Sequence, residues 1–348
     1  MQFEVPFAWA GKRLDAFLLN CCPHCSLRAR RRMITRGLVC VNGKTGSSGM
    51  HLNVHDTVSV EETGEKDAAE DTSVSGRLLD RQGDFFFFYK PACLHTMALA
   101  GGAGRSLEAD LATLLRENRP ENGSVSLVQR LDFATSGIVL GVAGIRAKTL
   151  FRQNERMGRV RKRYVALLEG EVPSRTVRQK LVTNDRRRTK IKAVEDSDPL
   201  RATTFVPFML IREKDPVPSW LAFPCERAPV TMTLTGCEIF LGARHQIRAH
   251  AKALGHPLAF DVQYGAASFQ NVPCTTRNLL PEAACFYLHH ASLCMPDNSC
   301  ILAPPWIAQD AFVKSEMLYP LWNWLRDVPN TAAYSDVHVC TLADCSMG

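Results

Sequence analysis

Ser126–Leu140 reads SLVQRLDFATSGIVL. One acid, Asp132, follows Arg130 and Leu131 and precedes a turn-forming Thr135-Ser136-Gly137 and an apolar run. A carboxylate is ionised at neutral pH, so it can act as a nucleophile or a base. The blander reading is an ion pair in front of a turn. A second chemical group is His245, His250 and His256. Their spacings do not share one helix face as H-E-x-x-H does, and no Glu accompanies them, so they read as packing or phosphate-contacting residues. Cys21-Cys22-Pro23-His24-Cys25 holds a single C-x-x-C with no second pair at zinc spacing, and reads as packing first and metal ligation a distant second. Gly101-Gly102-Ala103-Gly104 lacks the spacing and the Lys-Ser/Thr of a phosphate loop and reads as a connection. With no dinucleotide fingerprint and no G-x-S-x-G elbow, the expected chemistry uses neither cofactor nor metal.

The elements that must position Asp132 are legible around it. Asp84–His95 is a buried-strand run that Lys90-Pro91 brings to an end. Ser106–Asn118 is predicted helical, capped by Ser106, with Leu107, Leu111, Leu114 and Leu115 as its apolar stripe. A helix then runs into a strand starting near Lys162, with Tyr164 at its head and Val165, Leu167 and Leu168 as packing. Further on, the spacing predicts a helix from about Arg244 to Leu254, ended by Gly255, with Arg244, Arg248 and Lys252 on one stripe.

Charge is unevenly placed. Residues 1–60 carry eight Lys/Arg against three acids, whereas residues 61–76 carry six acids and one lysine. The acidic stretch has no aromatic residue and reads as a flexible tether. In the first module Ser26 and Gly37 bracket a predicted helix, Leu38–Val41 reads as a strand, and Asn42-Gly43 is a hairpin-turn signal. His51–Val60 alternates and reads as a closing strand pair. Five arginines fall between residues 28 and 36, which favours a phosphate-binding surface over a merely solvated face. Residues 159–192 hold twelve Lys/Arg against three acids, and with Tyr164 they fit a nucleic-acid groove. Basic strand edges that guard against aggregation account for part of that run.

These residues carry two resemblances. Arg13-Leu14-Asp15, the Ser-x-x-Arg helix start and Gly37–Gly43 make roughly residues 12–60 similar to the S4 RNA-binding domain, which implies an anchor on structured RNA. Arg28, Arg31, Arg32, Arg36 and Lys44 are its expected RNA contacts. Three ordered motifs resemble the RluA/RluD-type pseudouridine synthases: Arg130-Leu131-Asp132-x-x-Thr135-Ser136-Gly137, Lys162-x-Tyr164-x-Ala166-x-x-x-Gly170, and His245-Gln246-Ile247-Arg248-x-His250. Gly255-His256-Pro257 and Asp261-x-x-Tyr264-Gly265 follow, and Lys90-Pro91 and Leu288-His289 stand where that family has its outer short motifs. The resemblance implies conversion of uridine in RNA to pseudouridine, with no cofactor. It maps the acid onto Asp132, the charge partner onto Arg248 and the base-stacking tyrosine onto Tyr164. Arg130, Lys162, Arg244 and His245 are the expected RNA contacts of this domain. Two departures stand out: Gln129 replaces the usual His before Arg-Leu-Asp, and Ala243-Arg244 replaces Arg-Thr/Ser before His245.

The expected fold is α+β. An S4-like module (1–60) and the acidic linker (61–76) precede a catalytic domain (77–310) with a mixed, largely antiparallel central sheet, and a C-terminal extension (311–348) follows. The 348 residues are 46% hydrophobic, enough for real cores. No apolar run reaches membrane-helix length, the first residues lack a signal-peptide pattern, and 13 scattered cysteines suggest reduced thiols. A cytoplasmic monomer acting on RNA, ribosomal first and transfer RNA second, and binding no membrane is expected. A non-catalytic RNA-binding or ribosome-assembly protein with the same fold is the alternative. A carboxylate hydrolase would need a second acid, such as Asp261, brought to Asp132 in space.

Overall fold

Phe85–Lys90 is buried at every residue because both faces of its strand are covered. Phe86 and Phe88 enter one core with Val139, Tyr164, Ala166 and Ile247. Phe85, Phe87 and Tyr89 enter another with Ile138, Leu140 and Phe151. The two-residue alternation of strand side chains thus divides one aromatic run between two cores. The computed structural model describes residues 2–21, 30, 33–34, 39–47, 49–60, 75–98, 105–121, 123–183, 189–268, 286–327 and 339–340. It divides into two units, Met1–Ser73 and Val74–Gly348.

In the first unit, strands β1 (Gln2–Glu4), β2 (Val39–Val41), β3 (Lys44–Thr45) and β4 (Thr57–Val60) form an antiparallel sheet in the order β1-β4-β2-β3. Helix α1 (Leu14–Cys21) packs Leu14, Phe17 and Leu18 onto Val39, Val41 and Val58. Asn42 and Gly43 both take positive φ, as the sequence predicts for this hairpin. His51–Val60 yields one strand rather than the expected pair. His55 turns left-handed, and Asp56 accepts a hydrogen bond from the Asn53 amide at 2.7 Å, which breaks the run. Lys44 is exposed. Arg28, Arg31, Arg32 and Arg36 lie outside the described residues. Arg30, counted with them in the basic cluster, is buried and donates to the Asp15 carbonyl at 2.9 Å. It is therefore a structural arginine.

The second unit is built on one large mixed sheet. Its strands are β5 (Arg77–Gln82), β6 (Phe85–Lys90), β7 (Val125–Leu127), β8 (Ser136–Ala143), β9 (Arg161–Glu169), β10 (Arg175–Val177), β13 (Thr203–Ile211), β14 (Met232–Ile239), β15 (Leu288–Met295), β16 (Asn298–Leu302) and β17 (Val339–Cys340). The main path runs β10-β13-β14-β9-β15-β8-β6-β5. Among the described strands, β8/β15 and β16/β17 pair in parallel and the other strand pairs are antiparallel. A separate hairpin, β11 (Gln179–Val182) and β12 (Lys190–Glu195), stands beside it. Helix α2 (Leu107–Leu114) starts at Ser106, whose hydroxyl accepts from the Ala109 amide at 3.2 Å. Helix α3 (Gly144–Arg156) packs Ala147 and Phe151 on the sheet. Helices α5 (Gln309–Lys314) and α6 (Tyr319–Arg326) cover Val165, Leu234 and Ala291 through Phe312, Leu321 and Trp322. The C-terminal extension thus docks through a tryptophan-bearing helix. Gly236 leaves room for the Trp324 ring, which a Cβ there would meet at 2.6 Å. No helix among the described residues is long and apolar enough to cross a membrane.

The β8/β15 crossing sets the centre. Gly137 pairs with His290 at φ +124, and a Cβ there would stand 2.4 Å from the His290 carbonyl oxygen. Glycine is required at this position by both backbone and space. The Thr-Ser-Gly that follows Asp132 is therefore the point at which a distant strand is brought alongside.

Candidate active site

Asp132 sits in the irregular segment between β7 and β8, not on a strand. The backbone on either side of it is fastened. Before it, the Thr96 hydroxyl donates to the Leu131 carbonyl and accepts from the Leu131 amide, both at 3.0 Å. After it, the Phe133 carbonyl accepts from the Cys93 amide at 2.8 Å and from the Lys90 ammonium at 3.3 Å. Lys90 is fully buried and also donates to the carbonyls of Pro91 and Leu94. The Lys-Pro that ends β6 therefore holds the turn at residues 91–94 against the Asp132 segment. The Asp132 carbonyl accepts from the Thr135 amide at 3.1 Å, closing the turn into β8. The acid's own side chain is 22% exposed, so it is held by its neighbours yet open to a ligand.

Helix α4 (Gln246–Ala253) brings Arg248 to it. The helix begins at Gln246 rather than near Arg244, because His245 takes a left-handed conformation (φ 55°, ψ 24°) and the Gln246 side chain accepts from the Ala243 amide at 2.9 Å. Arg244 consequently leaves the stripe expected for Arg244, Arg248 and Lys252. Arg248 is buried. It forks onto Asp261 at 2.7 and 2.8 Å, donates to the Gln263 side chain at 2.7 Å, and reaches Asp132 at 3.3 Å. Its guanidinium also lies over Tyr264 and Phe286, with centroid distances of 4.8 and 4.3 Å. Burial opposes its charge, but Asp261 and Asp132 outweigh burial, so its pKa lies above the ordinary value. The tightest partner is Asp261, which spacing alone did not pair with it. Asp261 therefore enters the site as the counter-ion of Arg248.

Tyr164, on β9, is buried and stacks on His290 of β15 at 4.5 Å and 18°. Burial, with the Asp132 charge second, pushes its phenol pKa far up, so the hydroxyl stays protonated. His289 and His290 are fully buried, and burial pushes each imidazole down to about 3. His289 bonds Ser136 at 2.8 Å and His290 bonds the Ile138 carbonyl at 2.6 Å. Gln129 donates to that same carbonyl at 3.4 Å, so the residue that departs from the expected histidine still supplies a donor.

His245 approaches from the other side, its Nε2 3.8 Å from Asp132 Oδ1 and its Nδ1 3.1 Å from the Tyr264 hydroxyl. His250 bonds Thr203 and the Gln179 carbonyl, and His256 bonds the Glu169 carbonyl. Among the described residues no group of His, Cys, Asp and Glu is arranged to hold a metal.

Two expectations need correction. Lys162 is 3% exposed and pairs with Glu155 at 2.5 Å and with the Phe240 carbonyl, so it holds α3 against β9 and its ammonium is shielded from solvent. Arg163 is equally buried, bonding Glu238 at 2.7 Å and the carbonyl of Asp327 beyond α6. The basic run is therefore divided: its first members neutralise acids between elements, while Arg159, Arg175, Arg178, Lys180, Lys190 and Lys192 remain exposed. Arg186–Arg188 lie outside the described residues. Arg130 is exposed, and Arg244 is half-buried with its carbonyl accepting from Thr189 at 2.7 Å. Sequence reasoning missed Thr96, whose role depends on a contact with a residue 35 positions away.

Residues 84–253 match the family model described as RNA pseudouridylate synthase. The ribosomal large subunit pseudouridine synthases C of Salmonella typhimurium and Escherichia coli are each 27% identical over 271 residues, covering 75% of this chain and 78% of theirs. A solved structure titled Human RNA Pseudouridylate Synthase Domain Containing 1 covers 74% of this chain and 97% of its own, at 21% identity and a TM-score of 0.49. On these similarities the chain is an enzyme, an isomerase of the pseudouridine synthase kind.

Proposed function

We propose that this isomerase converts uridine to pseudouridine in structured RNA, specifically in ribosomal large-subunit RNA, with Asp132 as the catalytic carboxylate. One observation carries the reading. Within the stretch matched to the synthase model, a part-exposed carboxylate is fastened through its backbone on both sides and faces the guanidinium of Arg248. The named relatives supply the ribosomal assignment.

The reaction breaks the bond from ribose C1′ to uracil N1 and forms one from C1′ to C5. The proton at C5 is released and N1 gains one, so nothing is oxidised or consumed. Asp132 acts at the sugar, as nucleophile at C1′ or as base at the 2′ carbon, and needs its negative charge for either task. Arg248 favours that charge and is itself anchored by Asp261, so it can hold the carboxylate without following it. Tyr164 receives the base, with His290 backing its other face. The target uridine must leave its stack, which costs a few kcal/mol. Phosphate contacts from the exposed basic residues offset that cost. The S4-like first unit, through Lys44 and Arg28, Arg31, Arg32 and Arg36, anchors the RNA.

The test is Asp132→Asn, which keeps the shape of the side chain and removes its charge. The expected result is loss of pseudouridine from large-subunit RNA with RNA affinity within about twofold of the parent. A variant that still forms pseudouridine at the parental rate refutes the assignment.

A further inference from the structure

His245 has a left-handed backbone and two partners that matter. A left-handed non-glycine residue costs about 1–3 kcal/mol and persists where its surroundings hold it. Here it swings the imidazole between Asp132 and Tyr264. The Tyr264 hydroxyl oxygen already accepts from the Thr189 amide at 3.0 Å. Among the described residues its single hydrogen reaches the Thr189 carbonyl at 3.2 Å and His245 Nδ1 at 3.1 Å. If it turned to Thr189, Nδ1 of a neutral imidazole would carry the proton, and the bare Nε2 lone pair would face a carboxylate oxygen. If it turns to Nδ1, Nε2–H faces Asp132. The second arrangement pairs opposite partial charges at both ends.

We infer that His245 is a positioning residue: its Nε2–H tautomer, set by the Tyr264 hydroxyl, holds Asp132 Oδ1 while Arg248 holds Oδ2. The assignment rests on the reading of Asp132 as the catalytic carboxylate. The two grips are complementary, because Arg248 reaches Oδ2 at 3.3 Å and His245 stands 3.8 Å from Oδ1. Both distances are long for hydrogen bonds, as resting sites often are before substrate closes them. The groups around the imidazole keep it neutral. Burial lowers its pKa most; Asp132 on the loop and Asp261 below the helix raise it, and Arg248 and Arg244 lower it. The far end of the relay is Thr189, the residue preceding β12 in the hairpin that carries exposed Lys180, Lys190 and Lys192. The orientation of the acid is thus tied to the loop end of a basic hairpin, where Lys190 pairs with Val182.

The test combines a spectrum with rates on the full chain. Nitrogen NMR of ¹⁵N-histidine-labelled protein at neutral pH, with the His245 signal assigned by its loss in a variant, should show a protonated Nε2 and an unprotonated Nδ1. The opposite tautomer overturns the inference. In single-turnover assays on saturating RNA, His245→Asn keeps a residue suited to the left-handed backbone but is too short to reach Asp132. It should be slower by about tenfold or more with RNA saturating. His245→Gln restores an N–H at the longer reach and should recover most of that loss. Tyr264→Phe keeps the ring under Arg248 and should lose rate in the same direction as His245→Asn. An Asn variant as fast as the parent, or a Gln variant no better than Asn, refutes the positioning role. Asp132→Asn run alongside separates the two ideas: if it is inactive while His245→Asn is unimpaired, only this inference fails.

Discussion

Thr96→Val removes one hydroxyl and replaces it with a methyl of nearly the same shape. The perturbation is confined to the Asp132 segment, because that hydroxyl donates to the Leu131 carbonyl and accepts from the Leu131 amide. Thr96 is 3% exposed and Leu131 9%, so water does not readily replace the lost partner. A buried backbone group left without a partner costs about 1–3 kcal/mol. Two such groups, partly relieved by movement of the loop, put Thr96→Val about 2–4 kcal/mol below the parent. Thr96→Ser keeps the hydroxyl and loses one methyl, at a cost of about 1 kcal/mol. Urea unfolding followed by tryptophan fluorescence reads this directly, since four of the five tryptophans (Trp220, Trp306, Trp322 and Trp324) belong to the second unit. Movement of the loop by about 1 Å displaces Asp132 and should slow single-turnover pseudouridine formation by about 100-fold, while Thr96→Ser stays close to the parent. If Val and Ser variants unfold together and react at the same rate, the backbone clamp is not what positions the acid.

Arg248→Met should destabilise the second unit by about 3–5 kcal/mol, because it leaves Asp261, whose side chain is 1% exposed, charged and unpaired. Arg248→Met combined with Asp261→Asn should regain part of that stability but no activity; additive losses in the two unfolding midpoints would contradict the pairing. Acid should weaken the same unit through His289 and His290. Their folded pKa values of about 3 lie below the unfolded value of 6.5, so the unfolded chain binds more protons as pH falls. The stability they contribute is whole above about pH 6.5 and is lost toward pH 3, at up to about 1.4 kcal/mol per unit for each histidine. A urea midpoint that stays flat between pH 7.5 and 5.5 would show that the pair is not buried neutral.

Local pattern was enough to mark the residues that act alone or with near neighbours. Asp132 stood out as a single acid before a turn. The run of aromatics before Lys90-Pro91 announced a doubly buried strand, Ser106 announced its helix, and Asn42-Gly43 its hairpin. Each is governed by hydrogen bonds and sterics within a few residues, so the chain spells them directly. The ordered short motifs likewise pointed to the synthase domain. Other features were decided by contacts that sequence distance conceals. Lys162 and Arg163 looked like RNA contacts because charge is legible in sequence and burial is not; in the fold Glu155 and Glu238 neutralise them. Arg248 was expected to pair with Asp132, yet its tight fork goes to Asp261. The left-handed turn at His245 has no glycine to signal it, and the Thr96 clamp joins two loops. By itself, then, the sequence determined which groups could do chemistry and which local elements would carry them. Only the tertiary structure decided which charges are cancelled, which carboxylate is left facing solvent, and which backbone holds it there, because those outcomes depend on desolvation and partners supplied by distant strands.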